Sequence, residues 1–168
     1  MTPDADALDA FFAGSPDGRA IAFSALIGGL SDLFVYDLQS DTLQRLTRDA
    51  YADLQPSWSP DGRTIAFVTD RFTTRLDDLA IGPYTLALVD RATGRLTRVP
   101  GFDGAKHLNP QWTPDGSSLY FVADPGGIPD IYRVRLADGE LRQVTNLFTG
   151  VSGITETSPA FSVAQRNG

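Results

Sequence analysis

The four-residue phrase Ser-Pro-Asp-Gly occurs at 15–18 and 59–62 and returns as Thr-Pro-Asp-Gly at 113–116. Each copy opens the same kind of run: Arg19-Ala-Ile-Ala-Phe23, Arg63-Thr-Ile-Ala-Phe67 and Ser117-Ser-Leu-Tyr-Phe121. Asp17 and Asp61 are 44 residues apart, and Asp61 and Asp115 are 54 apart. Self-similarity at this period signals a modular array, and about 40–50 residues is the size of one four-stranded propeller blade.

Laid over one another, the repeats divide into four short strands, A to D. Strand A carries a Pro-x-aromatic signature at Pro56-Ser-Trp58, Pro110-Gln-Trp112 and Pro159-Ala-Phe161. Strand B is the run after each Asp-Gly. Strand C is Leu33-Phe-Val-Tyr-Asp37, Thr85-Leu-Ala-Leu-Val89 and Ile131-Tyr-Arg-Val-Arg135. Strand D is Leu43–Thr47, Leu96–Val99 and Leu141–Thr145. These runs are rich in β-branched and aromatic residues and bounded by Gly, Pro, Asp or Asn, and helical periodicity is missing from them. The fold class is all-β: propeller blades of four antiparallel strands in an incomplete ring. Blade 1 spans about 8–47, blade 2 about 54–99, blade 3 about 108–145, and a fourth begins at about 157–163. In blade 1, strand A is degraded, because Phe11-Phe-Ala-Gly14 lacks the Pro-x-Trp spacing.

Propellers close with four to eight blades, so three and a fraction leave two open edges. The expectation is a fragment of a larger propeller, or self-association through those edges. In an up-and-down blade the A–B and C–D turns share one face, and the B–C and D–A connections share the other. The first set is tight and repetitive here. The second set is long and variable (24–32, 70–83 and 124–129; 48–54, 100–108 and 146–157), and variable loops on a rigid scaffold are where binding usually resides.

The bulk composition narrows the function classes. At 168 residues, with 42% hydrophobic and 21% charged, this is one globular domain's worth of chain. A net charge of −7 argues against a nucleic-acid partner, which requires clustered Lys and Arg. The absence of cysteine rules out thiol nucleophiles and Cys-ligated zinc. The acidic start, Met1 to Asp9, carries no signal-peptide core, and no apolar run is long enough for a membrane helix.

A search for chemistry returns little. Gly150-Val-Ser-Gly153 is one residue short of a nucleophile elbow, and the single histidine, His107, cannot form a two-histidine metal site. His107 reads as a loop residue bonded to backbone, just ahead of strand A of unit 3. Asp17, Asp61 and Asp115 read as turn caps. Asp77 and Asp78 read as solvated loop charge, and the matched Trp58, Trp112 and Phe161 as blade packing. No catalytic residue, metal ligand or cofactor is expected. The candidate contact residues are Arg71, Phe72 and Arg75 in the longest loop, with Tyr84 and His107 on the same face.

The run Pro-x-Trp-Ser-Pro-Asp-Gly-Arg-x-Ile-Ala-Phe, then Leu-Phe-Val-Tyr-Asp, then Arg-Leu-Thr, resembles the TolB-type, WD40-like β-propeller repeat. Residues 15–47 and 55–69 carry it best, and 109–145 carry it well. The resemblance implies a non-catalytic scaffold that binds a protein or peptide partner through its long-loop face, in a periplasmic or other envelope setting if the parent protein is exported. The same repeat is similar to propellers of the prolyl oligopeptidase family, which gate a separate hydrolase. The alternative is therefore an accessory domain of a larger peptidase, with catalysis supplied elsewhere. The tail, Thr145 to Pro159, looks like a segment of large bacterial envelope proteins in which such a propeller adjoins a metallopeptidase-like domain.

Overall fold

A computed structural model describes residues 12–151 and 160–164. Twelve strands form three four-stranded antiparallel meanders. Blade 1 comprises β1 (Phe12–Gly14), β2 (Ala20–Ile27), β3 (Leu30–Asp37) and β4 (Thr42–Arg45). Blade 2 comprises β5 (Asp53–Trp58), β6 (Thr64–Thr69), β7 (Thr85–Asp90) and β8 (Leu96–Arg98). Blade 3 comprises β9 (His107–Trp112), β10 (Ser118–Ala123), β11 (Asp130–Arg135) and β12 (Leu141–Gln143). The described residues contain no helix.

Each Pro-Asp-Gly turn folds the same way. The Gly18, Gly62 and Gly116 amides donate to the carbonyls of Ser15, Ser59 and Thr113 at 2.9 Å. All three glycines have φ near +70° (68, 69 and 69), where a side chain would be strained. The Ser15, Ser59 and Thr113 hydroxyls donate to Asp17, Asp61 and Asp115 at 2.6 Å. Those carboxylates in turn accept the amides of Arg19, Arg63 and Ser117. This triplicate geometry starts strand B in the same register three times.

Strand alternation sends successive side chains to opposite faces of each blade, and the blades stack through both faces. Ala20, Ala22, Leu33 and Val35 of blade 1 pack against Trp58, Ile65, Phe67, Ala87 and Val89 of blade 2. Ala66, Val68 and Leu86 of blade 2 pack against Trp112, Leu119, Phe121, Tyr132 and Val134 of blade 3. Each tryptophan also reaches back to the preceding blade: Trp58 Nε1–H donates to the Ala13 carbonyl (2.9 Å), and Trp112 Nε1–H donates to the Ser57 carbonyl (3.0 Å). Strand A carries a bulge at Gln55 and Asn109, both at positive φ (52° and 54°). Gln55 Oε1 accepts the Asn109 amide across the blade boundary, and Asn109 Nδ2 donates to the Phe161 carbonyl. Phe161 therefore lies beside β9, where strand A of a following blade would run. Phe161 lies outside any strand, and residues 157–159 lie outside the described residues.

Three expectations shift. The 24–32 connection is a two-residue hairpin turn: Gly28 and Gly29 take φ of +65° and +90°, so the ladder extends to the Ile27–Leu30 pair. The D strands end earlier than their sequence pattern, at Arg45, Arg98 and Gln143; in blades 1 and 3 the following Thr47 and Thr145 turn their hydroxyls to strand C. His107 is the first residue of β9, not a residue ahead of it.

Because Phe67 is fully buried between blades 1 and 2, Phe67→Ala should lower unfolding free energy by about 4 kcal/mol in urea titration. A loss under about 1 kcal/mol would show that the blade contact does not hold the stack together.

Candidate functional site: the loop face

The B–C and D–A connections emerge on one face of the stack, and most of the exposed large apolar side chains are there. Leu26, Ile27 and Leu30 form the tip of the β2–β3 hairpin; Leu76, Leu79 and Ile81 lie in the 70–84 connection. Ile128 lies in the third B–C connection, and Leu147 and Phe148 follow β12. Exposed apolar side chains are ordinary singly; several on one face make it the candidate contact surface.

The 70–84 loop is internally built. Asp70 organises it: Oδ1 accepts the Ala52 amide from the neighbouring D–A connection, and Oδ2 accepts the Thr74 hydroxyl (2.6 Å). Thr73 Oγ1 bridges to the Pro83 carbonyl (2.7 Å), and the Gly82 amide donates to Thr74 Oγ1 (3.0 Å). A Cβ on Gly82 would sit 2.5 Å from Thr73, so only glycine closes this base. Above it, Arg75 and Ala80 exchange backbone hydrogen bonds (2.9 and 3.0 Å), and the Arg75 guanidinium clasps Asp78. The tip then shows Leu79 at 82% exposure and Ile81 at 86%. Leu79 holds φ +54°, a conformation a branched apolar residue seldom adopts. Strain combined with exposed apolar surface is the pattern expected where structure serves contact.

The five candidate contact residues divide sharply. Arg75 is largely exposed, as the tip geometry requires. Arg71 turns inward: its Nη2 bonds both oxygens of Asp53 (3.0 and 2.8 Å) and pairs with Asp49 (3.0 Å), between the rings of Tyr51 and Phe67. Phe72 packs on the blade 1–2 core beneath the Arg98 guanidinium. Tyr84 packs on the blade 2–3 core with Lys106 over its ring. His107 is 1% exposed; Nε2 accepts the Phe102 amide (2.9 Å) and Nδ1 lies 3.3 Å from the Tyr84 carbonyl. Burial pushes its imidazole below the usual histidine range, so the ring is neutral and its nitrogens are occupied by backbone. The loop's attachment is thus Arg71 and Phe72, and its presented surface is Arg75 to Ile81.

Asp53 occupies in blade 2 the position that His107 occupies in blade 3. Burial raises its carboxyl above the ordinary range, and Thr69 and Arg71 oppose that rise. Burial would lower the Arg71 guanidinium, but Asp53 and Asp49 outweigh it and raise it. A second buried device recurs in blades 1 and 3. Thr47 Oγ1 accepts the Leu33 amide and donates to Asp32; Thr145 Oγ1 accepts the Ile131 amide and donates to Asp130. It ties strand D to strand C where the loops begin. Its sequence signal is an Asp among the first residues of strand C matched to a Thr two residues after strand D, and blade 2 has Thr85 and Pro100 at those places. Among the described residues no group of three or more His, Cys, Asp or Glu side chains could hold a metal ion.

The chain matches no protein-family model. A curated relative, dipeptidyl-peptidase 5 of Porphyromonas gingivalis, is 31% identical over 144 residues, covering 80% of this chain and 20% of that protein. Among solved structures, TolB from Acinetobacter baumannii superposes with a TM-score of 0.66 at 24% identity, covering 83% of this chain and 33% of that one. The chain has the fold of a partial β-propeller, similar to that of TolB. A puromycin hydrolase superposes with a TM-score of 0.71 at 20% identity, over 98% of this chain and 25% of that one. The propeller segment thus spans a fifth of its curated relative's length and no more than a third of either solved chain.

Two outcomes test the site's electrostatics. Arg71→Met should cost about 3–5 kcal/mol at neutral pH, because it strands the buried Asp53 charge. The deficit should shrink as pH falls through the raised Asp53 titration, where the carboxyl becomes neutral; a pH-independent deficit would contradict the pairing. At the opposite face, hydrogen bonds from the Thr113 hydroxyl, the Ser117 amide and the Ser117 hydroxyl lower Asp115 to about 2. Its contribution to stability is complete above the ordinary Asp range and lost as pH falls through about 2. A carboxyl NMR titration of Asp115 with an ordinary midpoint would show that the turn does not hold the anion.

Proposed function

We propose that this chain is a protein-docking scaffold: three blades of a longer propeller that hold the B–C and D–A loops as a preformed apolar face against a protein surface. The observation that carries this reading is the 70–84 loop, whose tip exposes Leu79 and Ile81 although its base is closed by hydrogen bonds and a sterically required glycine. A loop already ordered loses little entropy on docking, so its apolar tip contributes nearly its full burial energy.

A second reading identifies what that face meets. The identity to a dipeptidyl-peptidase over most of this chain favours an accessory propeller in a larger peptidase, in which the docking surface belongs to the remainder of the same protein. In that arrangement catalysis lies outside these residues. The scaffold reading and the accessory reading share one face and differ in whether its occupant is another protein or another domain. The TolB-like fold supports a cell-envelope setting for the first of them.

The double substitution Leu79→Ser, Ile81→Ser removes the apolar tip and leaves Arg71, Phe72 and the loop base intact. It should leave the urea midpoint of the isolated chain unchanged. In the full-length parent it should loosen the loop face, seen as faster limited proteolysis between the propeller and its neighbouring domain, or weaken capture of a separate partner at least tenfold. Wild-type behaviour in both assays would remove the loop tip from the docking surface.

A further inference from the structure

We propose that the cleft between blades 2 and 3, on the Pro-Asp-Gly turn face, receives an arginine side chain from a partner polypeptide. The cleft has a volume of about 350 Å³, and its walls include Pro60, Asp61, Leu88, Trp112, Asp115 and Leu136. It lies on the face opposite the apolar loops and serves a separate contact.

The repeat itself identifies the ligand. In the groove between blades 1 and 2, Pro16, Asp17, Val35, Trp58 and Asp61 hold the places of Pro60, Asp61, Leu88, Trp112 and Asp115. The sixth position follows from the backbone: the Arg91 amide donates to the Arg63 carbonyl, and the Leu136 amide donates to the Ser117 carbonyl, at the same step of the turn. Arg91 and Leu136 are therefore equivalent. In the first groove the Arg91 guanidinium lies over the Trp58 ring, 5.4 Å from its centroid, and 3.6 Å from the Asp37 carboxylate of blade 1. In the second groove leucine replaces that cation. Asp90, which holds the place of Asp37, has no ion pair among the described residues, and neither do Asp61 and Asp115. Both turn bonds of Asp61 fall on Oδ1, which leaves Oδ2 for a ligand.

The second groove thus keeps the tryptophan wall, of which 5% is exposed, and in Asp90 the counterpart of the one carboxylate that pairs with Arg91, and lacks the guanidinium. A planar cation that can stack on indole and bond a carboxylate fits this better than the compact lysine ammonium. The chain's net charge of −7 draws a basic segment toward it.

Both tryptophan indole N–H groups donate to backbone carbonyls, so their NMR signals report on the two grooves separately. Titrating the 168-residue chain with acetyl-Gly-Arg-Gly-amide should shift the Trp112 indole signal with millimolar saturation and leave the Trp58 signal in place. The citrulline peptide, isosteric but uncharged, should shift neither. Leu136→Arg should abolish the Trp112 response by supplying the cation internally. Arg91→Ala should create the same response at Trp58, which decides the matter even if Leu136→Arg fails to fold. Leu79→Ser, Ile81→Ser should bind the peptide as wild type does, so this result stands apart from that for the loop face. A Trp112 signal that stays put, or that moves equally with the citrulline peptide, would overturn the proposal.

Discussion

The packing of one blade's central strand on the blade before it is the contact on which the rest of the structure depends. Phe67 and Phe121 lie at the centres of the two interfaces, and the Trp58 and Trp112 indoles hydrogen-bond to backbone carbonyls of the preceding blade. A four-stranded sheet of this size cannot bury both faces alone, so each blade is stable only in the stack. The bulge residues Gln55 and Asn109 add polar links from blade 2 to blade 3 and from blade 3 to Phe161. Their positive φ is what aims an amide side chain at the next blade.

That rigidity gives the two faces different work. On the turn face, three near-identical Asp-capped turns fix register and leave grooves between blades, one filled by the chain's own Arg91 and one open. On the loop face, Asp70, Thr73 and Thr74 build an ordered connection that displays aliphatic side chains. Buried polar groups sit at the roots of the loops: Asp53 with Arg71, Asp32 with Thr47, and Asp130 with Thr145. Each is a desolvated charge or carboxylate held by close partners, and losing a partner costs more than the bond itself.

The fold was legible because its determinants are local and repeated. Pro-Asp-Gly sets a turn, alternation sets a face, and three copies set the period. The loop face followed from topology alone. Which loop residues present themselves did not. Arg71, a charged residue in a long loop, reads as exposed until Asp49 and Asp53 are brought beside it from the preceding D–A connection and strand A. His107 reads as a loop residue until β9 takes it into the sheet and Phe102 folds over it. Leu79 and Ile81 are not among the candidate contacts in the sequence, because the hydrogen bonds that order the loop beneath them come from Asp70, Thr73 and Thr74. The two-residue Gly28-Gly29 hairpin was hidden for the opposite reason: paired glycines suit a flexible loop and a tight turn equally well.

Amide hydrogen exchange on the free chain decides whether the stacked scaffold holds its loop face preformed. In a preformed face the Ala52, Thr74, Ala80 and Gly82 amides are protected and open together with strand β6, as parts of one cooperative unit. Exchange of these four amides at unstructured-chain rates, while β6 stays protected, would contradict it.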